Sequence, residues 1–368
     1  MQWAFTAEQL EFRAVLRRYF QDHCPPSEAR RLMATEAGWD AVRWKALNDD
    51  LGVGGVHIPE AYGGQGFGLV ELGIVLEEMG RALVCAPYFS SSVLAATAIL
   101  EIGTEAEKAE RLPALALGEM TAALAVTEVN GRWDLGGVEM TAEPSGASWR
   151  LSGAKSFVVD GHTADQILAV AKTGDGLGLF LVEGSAAGLQ RRALASLDPT
   201  RKIARLDFAN VEARRIGEGD ATAGLEQTLR IAAVALANEM VGGAEHLRES
   251  ALEFAKLRVQ FGQPIAAFQS MKHKQADMLV DVELAKTAAY VAAASHGEAD
   301  FAANAHLAKA AASEAYLQTA IHTVQIHGGL GFTWENDTHL WFKRAKSSEV
   351  FLGDAAAHRD QLLRAWGH

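Results

Sequence analysis

Arg258 closes a long apolar run and stands three residues ahead of Phe261-Gly262-Gln263-Pro264. Neighbouring Gly and Pro residues mark a turn, so the pattern predicts a helix over 225–259, a break, and a second helix from residue 265. A cation is favoured at a helix C-terminus. A guanidinium beside a turn and an aromatic ring also suits a two-pronged grip on phosphate, the plainer alternative being an ordinary helix cap. Two acids could move protons. Glu239 interrupts the run 232–243, which is otherwise apolar except for Asn238. A carboxylate there either faces a pocket or is held in an ion pair. Asp354 has His358 and Arg359 within one helical turn, which favours a structural pairing. The twelve histidines show no metal-ligand spacing, and His273 between Lys272 and Lys274 makes a local basic patch. A Ser-centred nucleophile elbow, a phosphate loop and a dinucleotide-type glycine pattern are all missing from the sequence.

The elements that must position these residues fall into three stretches. Residues 1–118 read as helical, with Leu10, Phe12, Val15, Leu16 and Phe20 at helical spacing and a Gly/Pro loop over 58–66. Further helices are expected over 69–83, 91–102 and 105–118. Between 119 and 218 short apolar runs recur about every ten residues between Gly, Asp and Ser, the texture of an antiparallel β barrel or sandwich. From 219 to 368 the chain is Ala-rich, and patterns over 225–259, 265–296 and 301–327 suit a four-helix bundle. The whole reads as an α+β chain of 368 residues with 49% hydrophobic and 22% charged residues and a mean hydropathy of +0.01. A net charge of −12 argues against nucleic acid and an anionic membrane surface as partners. Two cysteines, Cys24 and Cys85, supply neither a disulfide framework nor a metal cage. The amphipathic, charged first twenty residues lack a signal-peptide core, and no apolar stretch reaches membrane-spanning length. A cytoplasmic soluble protein is the expectation.

The segment Arg258-x-x-Phe261-Gly262-Gln263-Pro264-Ile265-x-x-Phe268-Gln269, with Ala276-Asp277-Met278 after it, resembles a motif of the acyl-CoA dehydrogenase family. So does Gln325-Ile326-His327-Gly328-Gly329-Leu330-Gly331-Phe332, and the Pro59–Gly64 loop and the Glu77–Arg81 helix match as well. The resemblance covers almost the whole chain and implies that family's order of helical domain, β domain and helical bundle. It implies FAD, whose adenine half, bound mainly by a neighbouring subunit, would meet Arg258, Phe261, Ile265, Phe268, Gln269, Gln325 and Gly329. On the β domain it implies flavin-ring contacts from Val126-Thr127-Glu128 and from Lys155-Ser156-Phe157-Val158-Val159, hence from Thr127, Phe157 and Val159. Phe157 stands where the family usually has Trp, and Val159 where it has a hydroxyl.

The base is where the likeness stops. The family removes a proton α to a thioester with a Glu in an aromatic-Glu-Gly segment, and here that segment is Phe351-Leu352-Gly353-Asp354. Leu352 cannot take a proton, and the family's alternative positions for the Glu and its companion Arg fall on Ala232 and Ala233. The bulky Val129-Asn130-Gly131-Arg132-Trp133 also replaces small residues, and Asp354 replaces a Thr near the pyrophosphate. The resemblance therefore implies α,β-desaturation of an acyl-CoA thioester, with electrons passing to an electron-transfer flavoprotein. It implies a homo-oligomer or, better, a heteromer in which a second acyl-CoA dehydrogenase-like subunit brings the base. The alternatives are a homomeric dehydrogenase using Glu239 or Asp354, a flavin oxidase or monooxygenase of the same fold, and a non-catalytic scaffold.

Overall fold

The computed structural model describes residues 5–367; residues 1–4, which open the amphipathic N-terminal stretch, and residue 368 lie outside the description. In chain order the helices and strands are α1 (Ala7–His23), α2 (Pro26–Met33), α3 (Ala41–Leu51), α4 (Leu69–Ala82), α5 (Ala96–Ile102), α6 (Glu105–Ala116), β1 (Ala122–Ala125), β2 (Thr141–Ser145), β3 (Ser148–Val159), β4 (Gln166–Thr173), β5 (Gly176–Glu183), β6 (Leu189–Ala193), β7 (Ile203–Ile216), α7 (Thr222–Leu257), α8 (Gln269–Ala294), α9 (Phe301–His327), α10 (Thr338–Val350) and α11 (Ala355–Ala365). N-terminal helices, a middle β domain and a C-terminal helical domain follow one another as expected. The chain divides into two compact units, one of Met1–Arg30, Leu69–Val84 and Ala233–His368, the other of Arg31–Gly68 and Cys85–Ala232.

The first unit is helical. Thr6 and Gln9 form a reciprocal cap that starts α1, each side chain bonding the other's backbone N–H. α4 and α7 cross almost backbone to backbone. A Cβ built on Gly80 would lie 1.9 Å from the Glu239 carbonyl, and one on Gly242 1.8 Å from that of Glu77. Only glycine fits at either point. This crossing buries carboxylates. Glu77 receives Arg13 at 2.7 Å and the Tyr290 hydroxyl of α8 at 2.8 Å, and Glu78 receives Arg17 at 2.7 Å. α9 packs on α8, α10 and α11. The joint between α7 and α8 departs from the expectation. α7 ends at Leu257, so Arg258 is its first residue beyond, and Val259–Gln260 pair with Gln263–Pro264 as a tiny ribbon. Phe261 (φ 51°) and Gly262 (φ 80°) both take left-handed backbone, the geometry of a type I′ turn. Pro264 and a short 3-10 turn then delay α8 to Gln269 rather than residue 265.

The second unit carries the barrel. β4, β2, β3, β7 and β5 pair in that order and close through β4–β5, with β1 beside β4 and β6 beside β7. Most pairs are antiparallel, but β1 lies parallel to β4, which makes the sheet mixed. The β2–β3 hairpin intervenes in sequence between them, and a parallel neighbour needs such an excursion. Leu151, Ile167, Phe180, Leu206 and Val211 fill the interior. The helix expected over 91–102 opens as a π-helical turn, Phe89–Ala95, before α5. Its serines are buried, with Ser90 bonded to Asp160 at 2.7 Å and Ser91 to the Ala122 carbonyl at 3.2 Å. Hydroxyls that bond outside their own helix relax the regular ladder there.

Candidate functional site

In the barrel unit, a buried ion pair shapes the candidate residues. Lys155 Nζ donates to Glu128 Oε1 at 2.8 Å and to the Val126 carbonyl at 2.9 Å. The same carboxylate oxygen accepts the backbone N–H groups of Glu139 and Met140, both at 2.9 Å. Burial draws the Lys155 ammonium down to about 8 although Glu128 opposes it. Burial would raise Glu128, yet Lys155 and the two N–H groups hold it below the usual carboxylate range. The pair ties 126–128 to β3, and the Ser156 N–H closes the join on the Thr127 carbonyl at 2.8 Å. Beyond Lys155 the register with β7 slips, because Lys155 faces Leu206 while Val158 already faces Ala204. That bulge throws Phe157 into left-handed backbone (φ 59°), with its ring 6.3 Å from Trp133. Bulges of this kind re-aim a side chain. The Ser156 bond thus sets Phe157 beside Thr127, with Val159 two residues further along β3; Thr127 and Val159 are buried and Phe157 half-buried.

In the helical unit Arg258, Phe261, Gln269, Gln325 and Gly329 are exposed, and Ile265 and Phe268 are half-buried. Phe261 is 94% exposed at the tip of its turn. Phe261 and Phe268 meet edge to face at 6.1 Å, and Ile265 packs beside Phe254 on a small apolar cluster with Ala251, Ala255, Met278 and Ile326. Lys274 bonds Gln325 Oε1 at 3.2 Å, joining the two motif segments. A Cβ on Gly262, Gly328 or Gly329 would meet nothing within 4 Å. A guanidinium, two amides, exposed aromatic edges and uncovered glycine backbone make a donor set that fits a dinucleotide.

The two acids have other duties. Glu239 Oε1 accepts from Arg344 of α10 at 2.6 Å, both side chains being buried. Asp354 is exposed and caps α11, accepting the Ala357 N–H at 2.9 Å. It pairs with neither residue that the spacing pointed to: His358 turns to the Leu352 carbonyl at 3.0 Å, and Arg359 to Glu314. Leu352 sits half-buried in left-handed backbone (φ 62°). Three charged residues escaped the sequence reading, the roles of Lys155 and Lys309 and the partner Arg344. A lone Lys in the Ala-rich stretch 302–312 carries the same signal that drew attention to Glu239. The helical unit also holds a cavity of about 380 Å³ lined by Phe20, Arg17, Arg81, Glu249, His246 and Trp341, none of them a candidate above. His246 stacks on Trp341 at 4.2 Å, and burial, aided by Arg81, lowers it to about 4. Among the described residues no helix is long and apolar enough to cross a membrane.

Comparison with known proteins identifies the family. Residues 6–119 match the N-terminal domain of acyl-CoA dehydrogenases, 123–211 the middle domain and 223–367 the C-terminal domain. The acyl-CoA dehydrogenase IpdE2 of Mycobacterium tuberculosis is 34% identical over 330 residues, 90% of this chain and 88% of that protein. The Tcur3481–Tcur3483 steroid ACAD superposes with a TM-score of 0.89 at 32% identity, covering 98% of each chain. The ChsE4–ChsE5 complex of Mycobacterium tuberculosis gives 0.91 at 27% identity, covering 100% of this chain and 99% of the other. The chain belongs to the acyl-CoA dehydrogenase family of flavoprotein oxidoreductases.

Proposed function

We propose that this chain is one subunit of a heteromeric, FAD-dependent acyl-CoA dehydrogenase that desaturates a bulky acyl-CoA thioester, such as one carried on a steroid side chain. The observation that carries the reading is Leu352, an apolar side chain where the family resemblance puts the proton-accepting Glu, while Glu239 is committed to Arg344 and Asp354 to a helix cap. Likeness to a steroid ACAD and to the two-protein ChsE4–ChsE5 complex supports the substrate class and the second subunit. When bound, FAD supplies the acceptor for the hydride that leaves the β carbon. Thr127, Phe157 and Val159 would hold the flavin ring. Arg258 and Gln269, with Phe261, Ile265, Phe268, Gln325 and Gly329 around them, would hold the adenine dinucleotide of a cofactor shared with a neighbouring subunit. The exposure of Arg258, Phe261, Gln269, Gln325 and Gly329 is what such sharing requires. The α proton would pass to a carboxylate of the second subunit, and the electrons to an electron-transfer flavoprotein.

The test is an anaerobic titration of the purified protein with a steroid-type acyl-CoA, followed by its visible spectrum and native mass. Bleaching is expected only after a Glu-bearing second subunit is added. Full turnover by this chain alone, at a rate matched to its flavin content, would overturn the reading.

A further inference from the structure

Lys309 is the most deeply buried cation of α9, with 0% of its surface exposed, yet it has no part in the chemistry above. Its ammonium donates to Ser313 Oγ at 2.9 Å, to the Glu349 carbonyl at 3.2 Å and to the Gly353 carbonyl at 2.9 Å. An ammonium has three hydrogens, so all are used. Of these acceptors Glu349 lies in the last turn of α10, and Gly353 lies in the joint between α10 and α11 that also contains Phe351 and Leu352. On the other side of that joint His358 Nε2 lies 3.0 Å from the Leu352 carbonyl, and His358 Nδ1 lies 3.0 Å from His306 Nδ1. A carbonyl can only accept. His358 therefore carries its proton on Nε2, and its Nδ1 accepts from an N–H on His306 Nδ1. Burial first, then Lys309 and His306, lower His358 to about 3, which keeps this arrangement in place at neutral pH.

The clamp holds an uncommon backbone. Leu352 (φ 62°) and Gly353 (φ 102°) are both left-handed, and for a Leu that conformation is strained unless its surroundings impose it. Nothing about a leucine side chain calls for it. We propose that Lys309, with the His306–His358 pair, is a positioning residue for the side chain at 352, and that this chain keeps a preformed seat for a base whose carboxylate has gone. The inference rests on the reading of Leu352 given under the proposed function. Its consequence is that Leu352→Glu alone would furnish the missing acid, because the backbone that presents it is already set.

Two measurements on the full chain test this. In hydrogen exchange, Lys309→Met is expected to speed the amides of residues 351–353 at least tenfold while those in the middle of α8 and α9 are unchanged. Unchanged exchange at 351–353, or equal acceleration throughout the unit, overturns the clamp. If Lys309→Met does not fold, His306→Leu, which loosens only the Leu352 arm, is judged by the same criterion. In the second measurement, Leu352→Glu carrying FAD is mixed anaerobically with acyl-CoA. Flavin bleaching without a partner subunit is expected, and adding Lys309→Met should slow it at least tenfold with thioester affinity unchanged. A parallel loss of affinity would make Lys309 merely structural and overturn its positioning role. A Leu352→Glu chain that binds FAD and thioester but stays yellow would overturn the base assignment at 352, leaving exchange to decide the clamp.

Discussion

Two segments proposed to hold one cofactor are built in opposite ways. Around β3, Thr127 and Val159 are buried, and the segment is shaped within the barrel unit by the Lys155–Glu128 pair, the Ser156 N–H on the Thr127 carbonyl and the pairing of β3 with β7. Around the 258–269 turn, Arg258, Phe261 and Gln269 stand in the open, with Gly262, whose Cβ position meets nothing within 4 Å, between them. The first is a shape that exists before any ligand arrives. The second offers donors and aromatic edges whose desolvation must come from another molecule. Variants in the first should therefore change stability and cofactor together, and variants in the second cofactor alone.

The largest contrast is expected from Lys155→Met. It leaves the Glu128 carboxylate buried without its cation, which costs about 3–5 kcal/mol. Urea unfolding should show that loss, with flavin content falling in step; a loss below about 1 kcal/mol would mean the β segment is not held by this pair. Arg258→Ala is the counterpart. Removing one charged hydrogen bond, about 1.5–3 kcal/mol, should weaken FAD binding roughly ten- to a hundredfold in a titration. Unfolding of the apoprotein should move by no more than about 0.5 kcal/mol, since the side chain is exposed.

Acidity separates the units next. His246 and His358 titrate near 4 and 3 in the fold against about 6.5 in an unfolded chain. Between those values the unfolded chain binds more protons. The stability contributed by these two is thus complete above about pH 6.5 and is lost as pH falls, toward 4 for His246 and toward 3 for His358. His246→Phe and His358→Gln should flatten that decline in a pH series of unfolding curves, and an unchanged slope would show that the two histidines do not govern it. The smallest effect is expected from Val159→Thr. A buried hydroxyl without a partner should cost the apoprotein about 1 kcal/mol, and a flavin hydrogen bond should return about as much. Tighter FAD binding by a few-fold, with no gain in apoprotein stability, is the outcome to look for.

Helices at 69–82, 105–116 and 301–327 were legible because each alternates apolar and polar faces at helical spacing or ends on glycine. The parallel pairing of β1 with β4 was not, since pairing partners leave no periodic mark on either strand. Nor was the π-helical turn at 89–95, which depends on where Ser90 and Ser91 find acceptors more than thirty residues away. Arg258 could be singled out from its place before a turn, while Gln325 and the emptiness of position 352 could be read only through the family resemblance. What holds that position could not. Lys309 and His306 lie more than forty residues before it, and only the packing of α9 on α10 and α11 brings them there.

The helical unit is assembled from three stretches of chain, and the barrel's residues are spelled out before the last of them begins. On a ribosome, α1 and α4 emerge early with two carboxylates, Glu77 and Glu78, destined for burial. Tyr290, one of the groups that satisfies Glu77, is still unmade when the last strand of the barrel has left the tunnel. Contacts so distant in sequence form late, because the intervening loop must close first. The barrel can therefore condense during synthesis, while the first two long helices wait as exposed amphipathic rods for their partners. In a crowded cell that interval is the chain's period of greatest need for a chaperone, and slowing translation within α7 would lengthen it.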